Sequence, residues 1–372
     1  MSGMLTPTII AKEALIALEN ELVLANLVHR TYSKEFQSRG ATILARKPSV
    51  YTATVVSNTV NAATVAESSV AIVLNRLADV TLSITSQDLS LEVVDFSEQF
   101  IQPAMRAHAQ LMDLYGANEA VNFAGHSTVT GTPAAADIVQ IGAVLDAQKC
   151  PARGRNLVMG PITKAGYMVL EPFMYAEHRA DGGQAIREAE MGRVLGFDCY
   201  MDQNVGITHT SGAMADLAGA MKGAGAVGDG TATIDAITSG GTVLAGDVFK
   251  ITGYDQWFRV AANATASAAT VIVTFTPTLA QTVADDAVVT FQGTGRDNMA
   301  FHKNALALVT APLVPPLGGA KAEVITYKNL SCRVVYDYNI MTKTNIMSID
   351  MLYGWKTLDI ALGARLIDQR SV

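Results

Sequence analysis

No glutamate occurs between Glu190 and Glu323, and from about residue 213 to 296 Gly, Thr, Ala and Val dominate. Glutamate favours helix, whereas threonine and valine favour strands. That stretch is therefore steered towards β structure. Residues 232–237, 248–251, 257–260, 271–275 and 287–291 read as short strands joined by Gly, Asn and Asp turns. Several short strands so close together predict a small barrel or sandwich, with roughly half of its apolar side chains turned inward. Residues 213–296 hold seven Asp against four Lys plus Arg, so the segment is mildly acidic.

On either side the period changes. Thr6 and Pro7 supply an N-cap and a first helical residue, and Ala14, Leu15, Leu18, Leu22, Ala25 and Val28 recur at three and four residues, as in an amphipathic helix. Residues 42–46 and 50–56, with Val80, Leu82 and Ile84 alternating against Thr81, Ser83 and Thr85, predict strands with one covered face in a hairpin-like extension. Between Phe96 and Phe123 the helical period returns, with Phe96, Phe100, Ala104, Ala107, Leu111, Leu114 and Val121 on one stripe. Pro103 would remove a hydrogen bond inside such a helix, so the helix either kinks or starts there.

Residues 132–205 alternate between the two periods: Thr132 and Pro133 open a helix carrying Ile138, Ile141 and Leu145, 155–159 is a strand, 184–191 a helix and 196–201 a second strand. After the Glu-poor segment, 301–312 reads as helical or mixed, and 332–338 and 344–352 as long strands. The fold class is α+β, a mixed domain interrupted by a β insertion.

Apolar residues make up 49% of the chain, which excludes compositional disorder. Charged residues make up only 16%, where about 25% is usual, and a surface so poor in charge suits large protein contacts. A net charge of −7 argues against a broad basic face that grips nucleic acid. No apolar run is long enough to span a membrane, and the start, MSGMLTPTIIAKEAL, has no charged and apolar leader pattern, so the expectation is a cytoplasmic chain without a membrane partner. Cys150, Cys199 and Cys332 are odd in number and form no CxxC pair, so they are expected to be buried apolar thiols.

Motif searches assign no catalytic, cofactor-binding or metal-binding residue. GAGAVG at 223–228 matches G-x-G-x-x-G with Asp247 further on, but neither a preceding strand nor a following helix is predicted, so it reads as a flexible junction. His29, His108, His126, His178, His209 and His302 include no pair at metal-ligand spacing and are expected at the surface or as satisfied core residues. Glu188 and Glu190, near Glu177 and Asp181, suggest paired carboxylates, but a solvated helix face explains them better. The chain is read as no enzyme, with no cofactor.

Four strings carry a resemblance. SEQFIQPAMRAHAQLMD (97–113), LGFDCYMDQNVGITHTSG (195–212), MAFHKNALALVTAPL (299–313) and SIDMLYGWKTLDIALGARL (348–366) resemble, in order and over nearly the whole chain, the major capsid proteins of tailed phages. The coat proteins of the P-twenty-two-like short-tailed phages, which have the Hong Kong ninety-seven-type capsid fold with an inserted β-domain, are the nearest type. The resemblance implies an N-terminal arm over 1–33, an extended β loop over 34–85 and the spine helix of a peripheral domain over 86–125. It further implies an axial domain over 127–212 and 297–341, an inserted barrel-like β-domain over 213–296, and the rest of the peripheral domain over 342–372.

Such proteins are structural coat subunits of a bacteriophage virion. They self-assemble as hexamers and pentamers into an icosahedral head shell around double-stranded DNA, which lies nearby without sequence-specific binding. A separate scaffolding protein and a portal are the implied assembly partners, with assembly in the host cytoplasm. The competing expectations are a β-rich surface-layer or ligand-binding protein, which export would distinguish, and an α/β enzyme, which would need a convergent polar pocket.

Overall fold

The computed structural model describes residues 7–32, 37–47, 68–84, 97–171, 189–206, 208–215, 217–237, 239–254, 257–316, 321–339, 341 and 344–370. The chain forms two compact units, Met1–Gly116 with Leu306–Leu358, and Ala117–Ala305 with Asp359–Val372.

The first unit is organised by one long strand, Thr344–Thr357. One edge of it pairs antiparallel with Arg76–Ile84, while the other edge pairs first with Leu330–Asn339 and then with Leu306–Ala311. Lys321–Tyr327 continues the sheet beyond Leu330–Asn339, and His29–Tyr32 adds a parallel strand beside Leu306–Ala311. Thr42–Lys47 and Ser68–Val73 form a separate antiparallel pair. The expected alternation along 80–84 holds where burial is described, Val80 and Leu82 being half-buried and Thr81 and Ser83 exposed.

The N-terminal helix Pro7–Glu21 packs on the strands Lys321–Tyr327 and Leu330–Asn339. The expected stripe residues Ala14, Leu15, Leu18, Leu22, Ala25 and Val28 are all buried, but the helix stops at Glu21: Ala25 lies in a separate short helix, Leu24–Leu27, and Leu22 and Val28 lie outside both. The long helix behaves differently. A π-helical turn, Ser97–Ile101, precedes regular α-helix at Gln102–Asn118, so Pro103 sits in the first α turn, where its missing N–H costs nothing.

The buried face of that helix also differs from the expected stripe. It carries Ile101, Ala104, Met105, His108, Ala109, Met112, Asp113 and Gly116, whereas Leu111 is 37% exposed and Ala107 lies in solvent. Two polar residues belong to this face because the backbone uses them. Asp113 accepts the N–H groups of Val23 at 2.9 Å and Ala25 at 3.2 Å, and His108 Nε2 lies 3.0 Å from the Ile349 carbonyl. Gly116 is small by necessity, since a Cβ there would come within 2.6 Å of Leu24 and 2.8 Å of Trp355.

The second unit holds a mixed seven-stranded sheet and a closed barrel. In the sheet, Gly125–Val129 runs parallel to Gly363–Asp368, which is antiparallel to Gly295–His302; that strand pairs with Arg155–Met159, which runs parallel to Phe197–Met201. The helix Ala135–Ala147 packs on the first two of these strands. It starts two residues after Pro133, where the Asp137 carboxylate accepts the Ala134 N–H at 2.8 Å, and Ile138, Ile141 and Leu145 are buried as expected. Residues 301–312 are strand, not helix: the sheet strand ends at His302 and Leu306–Ala311 begins the next. Both are buried on two faces, so they show no alternation to read. The expected strand 50–56 and all but the last residues of the expected helix 184–191 lie outside the described residues, and Ala189, Glu190 and Met191 are not helical.

The barrel closes through six antiparallel strands: Ala218–Met221, Thr231–Asp235, Val271–Thr276, Trp257–Val260, Val248–Ile251 and Val288–Phe291, which returns to the first. Four of the five strands read from the sequence match within two residues at each end, and the fifth lacks only Ala287. Inside, Phe249, Phe258, Phe275 and Phe291 form one aromatic group, with ring centroids 5.1 to 5.6 Å apart in the contacting pairs. Ile272 is 68% exposed and Val288 45%, the outward half of the alternation. The strand Ala218–Met221 carries glycine at 219 because a Cβ there would come within 2.7 Å of Ile234. GAGAVG forms the turn that follows it, with Gly223 and Gly228 at φ of +90° and +94°, and leads into a strand.

The tail is shared between the units at a point other than the expected break at 341/342. Leu330–Asn339 and Thr344–Thr357 are paired neighbours in one sheet, so no boundary separates them, whereas Gly363–Asp368 belongs to the mixed sheet of the second unit.

Two outcomes follow from this packing. Met112→Ala should lower unfolding free energy by about 2 to 5 kcal/mol, whereas Leu111→Ala should cost under about 1 kcal/mol; chemical denaturation of both variants checks the assignment of the buried face. A fragment covering 213–296 has its own closed sheet and apolar core, and should give a β-type circular dichroism spectrum with a cooperative melt. A coil spectrum would mean that the barrel is ordered only by the rest of the chain.

Candidate functional site

The barrel is joined to the sheet by two adjacent crossings of the chain. Thr208–His209 leads in and pairs antiparallel with Gly295 and Arg296, which lead out. Between them sits the turn before Val248–Ile251. The Asp247 carboxylate in this turn is buried and accepts the N–H groups of Leu244 at 2.7 Å and Gly212 at 3.1 Å, with His209 Nε2 at 2.9 Å. Gly246 beside it has φ +99°, and a Cβ there would meet Val121 at 2.8 Å, so the position requires glycine twice over.

The sheet answers with a fully buried arginine. Arg365 Nη1 donates to the Gly246 carbonyl at 2.9 Å and Nη2 to Asp297 at 2.6 Å. A buried charge without a partner is strongly unfavourable, so this ion pair and its carbonyl contact fix the turn on the sheet. In parallel register opposite Arg365 lies His126, also fully buried, and neither of its ring nitrogens has a hydrogen-bond partner. Burial first, then the charges of Arg365 and Arg259, hold the His126 imidazole well below its ordinary pKa, so it is neutral. Burial and Arg365 also lower the Arg259 guanidinium, with Glu119 opposing. His126 meets the Trp257 ring of the barrel edge-on, at 6.4 Å between centroids.

This arrangement binds and positions; it holds no nucleophile and base in series. Among the described residues no Ser, Thr or Cys is hydrogen-bonded to His209, and no group of three or more His, Cys, Asp or Glu is gathered to hold a metal ion. Nor is any described helix long and apolar enough to cross a membrane. Cys150 and Cys332 are buried thiols, and burial pushes Cys332 up to about 12, which keeps it unreactive at neutral pH. Cys199 is only half-buried, contrary to the expectation of three buried thiols.

His108 and His126 are buried, His29 is exposed, His209 and His302 are half-buried, and His178 lies outside the described residues. Glu177, Asp181 and Glu188 also lie outside them, and Glu190 is exposed. The paired carboxylates that do occur are elsewhere, in the first unit. Asp79, Asp350 and Arg333 sit directly opposite one another across three strands, and Ser348 Oγ lies 2.7 Å from Asp79 and 2.8 Å from Asp350. Burial and the neighbouring Asp79 raise the Asp350 carboxyl, while Arg333 pairs with it. Sequence reading missed this row because its members are far apart in the chain; the register of the long strand creates it.

No protein-family model matches the chain, and no curated protein does. The solved structures similar to it include phage capsids. A structure from Mycobacterium phage Che8 is 12% identical, with 93% of this chain and 90% of that chain covered, at a TM-score of 0.48. The capsid of the cyanophage P-SCSP1u is 12% identical, with 94% and 89% covered, at 0.48. The mature capsid of bacteriophage PhiM1 is 11% identical, with 94% and 88% covered, at 0.46.

The buried neutral histidine sets a pH dependence. Its folded pKa lies below its ordinary value of 6.5, so the unfolded chain binds the extra proton first. Its contribution to stability is therefore complete above about pH 6.5 and is lost as pH falls below that. Thermal melts between pH 7 and 5 should show this loss, and His126→Leu should reduce it; His108 and His302, both also lowered chiefly by burial, contribute to the slope that remains.

Proposed function

We propose that this chain is the major capsid protein of a tailed phage, a structural coat subunit that assembles with its own copies into an icosahedral head. The observation that carries the reading is the way the four resembling strings fall on successive elements. Residues 97–113 cover the π turn and most of the long helix, and 195–212 cover the second parallel sheet strand and the crossing into the barrel. Residues 299–313 follow the crossing out of the barrel into the next sheet, and 348–366 join the long strand to the last one.

On this reading 1–33 is the arm, 34–85 the extended loop, and the long helix with Leu306–Ala311 to Thr344–Thr357 the peripheral domain. The mixed sheet, with its last strand Gly363–Asp368, is the axial domain, and 213–296 is its insertion. The subunits form hexamers and pentamers around double-stranded DNA, a scaffolding protein and a portal take part in assembly, and assembly occurs in the host cytoplasm. The chain catalyses nothing. Its low charge supports such a role: 16% charged residues leave contacts that cost little to desolvate, and each subunit joining a shell makes several contacts at once.

Electron microscopy of the full-length protein, purified at high concentration, tests the reading. Closed shells, tubes or rings built of hexameric units are expected. A chain that stays monomeric at every concentration, alone and with a co-expressed scaffolding protein, contradicts it.

A further inference from the structure

The strand Gly125–Val129 carries His126 into the junction between the sheet and the barrel, where the ring is fully buried. On the sheet side stands Arg365, its register partner on Gly363–Asp368; on the barrel side stands Arg259, on Trp257–Val260. The imidazole also meets the barrel at Trp257, edge-on and 6.4 Å between centroids. Among the described residues neither ring nitrogen has a hydrogen-bond partner, and nor does the Nε atom of either guanidinium group.

A proton added to His126 makes a third cation between two. Asp297 offsets Arg365 at 2.6 Å and Glu119 acts on Arg259, so the junction is balanced while the imidazole is neutral. The other elements beside the ring supply nothing to neutralise a further charge. Among the described residues lining the cleft next to this junction, Lys250 on Val248–Ile251 is cationic and no carboxylate occurs; the helix Ala135–Ala147 brings Gln140 and apolar side chains. Burial, then Arg365 and Arg259, accordingly hold the ring well below its ordinary pKa. The ring nitrogens are closed off from water, so a charged imidazole is hydrated only once the junction opens. Opening costs neither side its interior. The barrel core, with Phe249, Phe258, Phe275 and Phe291, lies wholly within 213–296, and the sheet packs a separate core that includes Leu157 and Leu366.

We propose that His126 is an acid-sensitive latch: the neutral ring lets the barrel lie closed on the sheet, and its protonation opens the barrel root while both cores stay folded. The latch works against the Arg365 contact to the Gly246 carbonyl, which holds the closed form. Linkage sets its direction and range. The open form takes up the proton near the ordinary value of 6.5 and the closed form only at lower pH, so the open population rises by up to about tenfold for each pH unit below about 6.5. Above that pH the latch is closed. The inference does not depend on the chain being a capsid subunit.

Trp257 and Trp355 are the two tryptophans of the chain, and Trp355 belongs to the first unit. In full-length Trp355→Phe, Trp257 therefore reports on the junction by itself. Acrylamide quenching of its fluorescence should rise reversibly as pH falls from 7 to 5, while the far-UV circular dichroism stays constant. His126→Leu should flatten the rise, and Arg259→Gln, which leaves one guanidinium fewer beside the ring, should reduce it; the second variant remains informative if the first fails to fold. If Trp355→Phe does not fold, the difference between the wild type and Trp257→Phe carries the same readout. Quenching that does not change down to pH 5, or that rises equally in the variants, overturns the proposal. So does a rise that runs in step with loss of the circular dichroism signal, because the whole unit then unfolds instead of its junction opening.

Discussion

The fully buried guanidinium of Arg365 ties the second unit together. It reaches from a sheet strand to the Gly246 carbonyl in a barrel turn and is neutralised by Asp297 on the neighbouring strand. A charge removed from water is tolerated only where an opposite charge and a directed acceptor replace its hydration. That requirement gives the junction one geometry. Asp247 repeats the device from the barrel side, collecting two backbone N–H groups and His209 around one carboxylate. An apolar junction of similar size would permit sliding; these directional contacts do not.

The two halves of this unit were unequally legible in the sequence. The barrel was readable because its strands alternate: Val271–Thr276 runs buried, exposed, buried, exposed, buried, and its turns are glycine-rich. Its first strand, Ala218–Met221, was not, since closing the barrel there demands Gly219, a residue with no strand preference. Residues 301–312 were misread for the opposite reason, burial on both faces. The long helix shows a third kind of failure. Its stripe was displaced because Asp113 and His108, which look like surface residues, face inward to satisfy backbone groups of other elements.

The polar root was almost illegible. Asp247 drew notice only as part of a dinucleotide-like spacing, and its true partners, Gly212 and His209, lie 35 and 38 residues away. Arg365 and His126 become neighbours only through parallel strand register. The same holds in the first unit for the row Asp79, Asp350 and Arg333, where two carboxylates face each other across a strand pair and an arginine offsets them. Like charges placed so are unfavourable in a sheet, and no local pattern announces the compensation.

The barrel is thus a self-contained module bonded to the sheet by a small polar root. Native-state hydrogen exchange on Arg365→Met, compared with the wild type, measures this most directly. Removing the guanidinium leaves the half-buried Asp297 carboxylate without its charge partner, a loss of up to about 3 kcal/mol. The account expects protection to fall at 209–212, 244–247 and 295–297, while the barrel amides of Val248–Ile251 and Val288–Phe291 stay protected. Loss of protection throughout the barrel, or no change at the root, would contradict it.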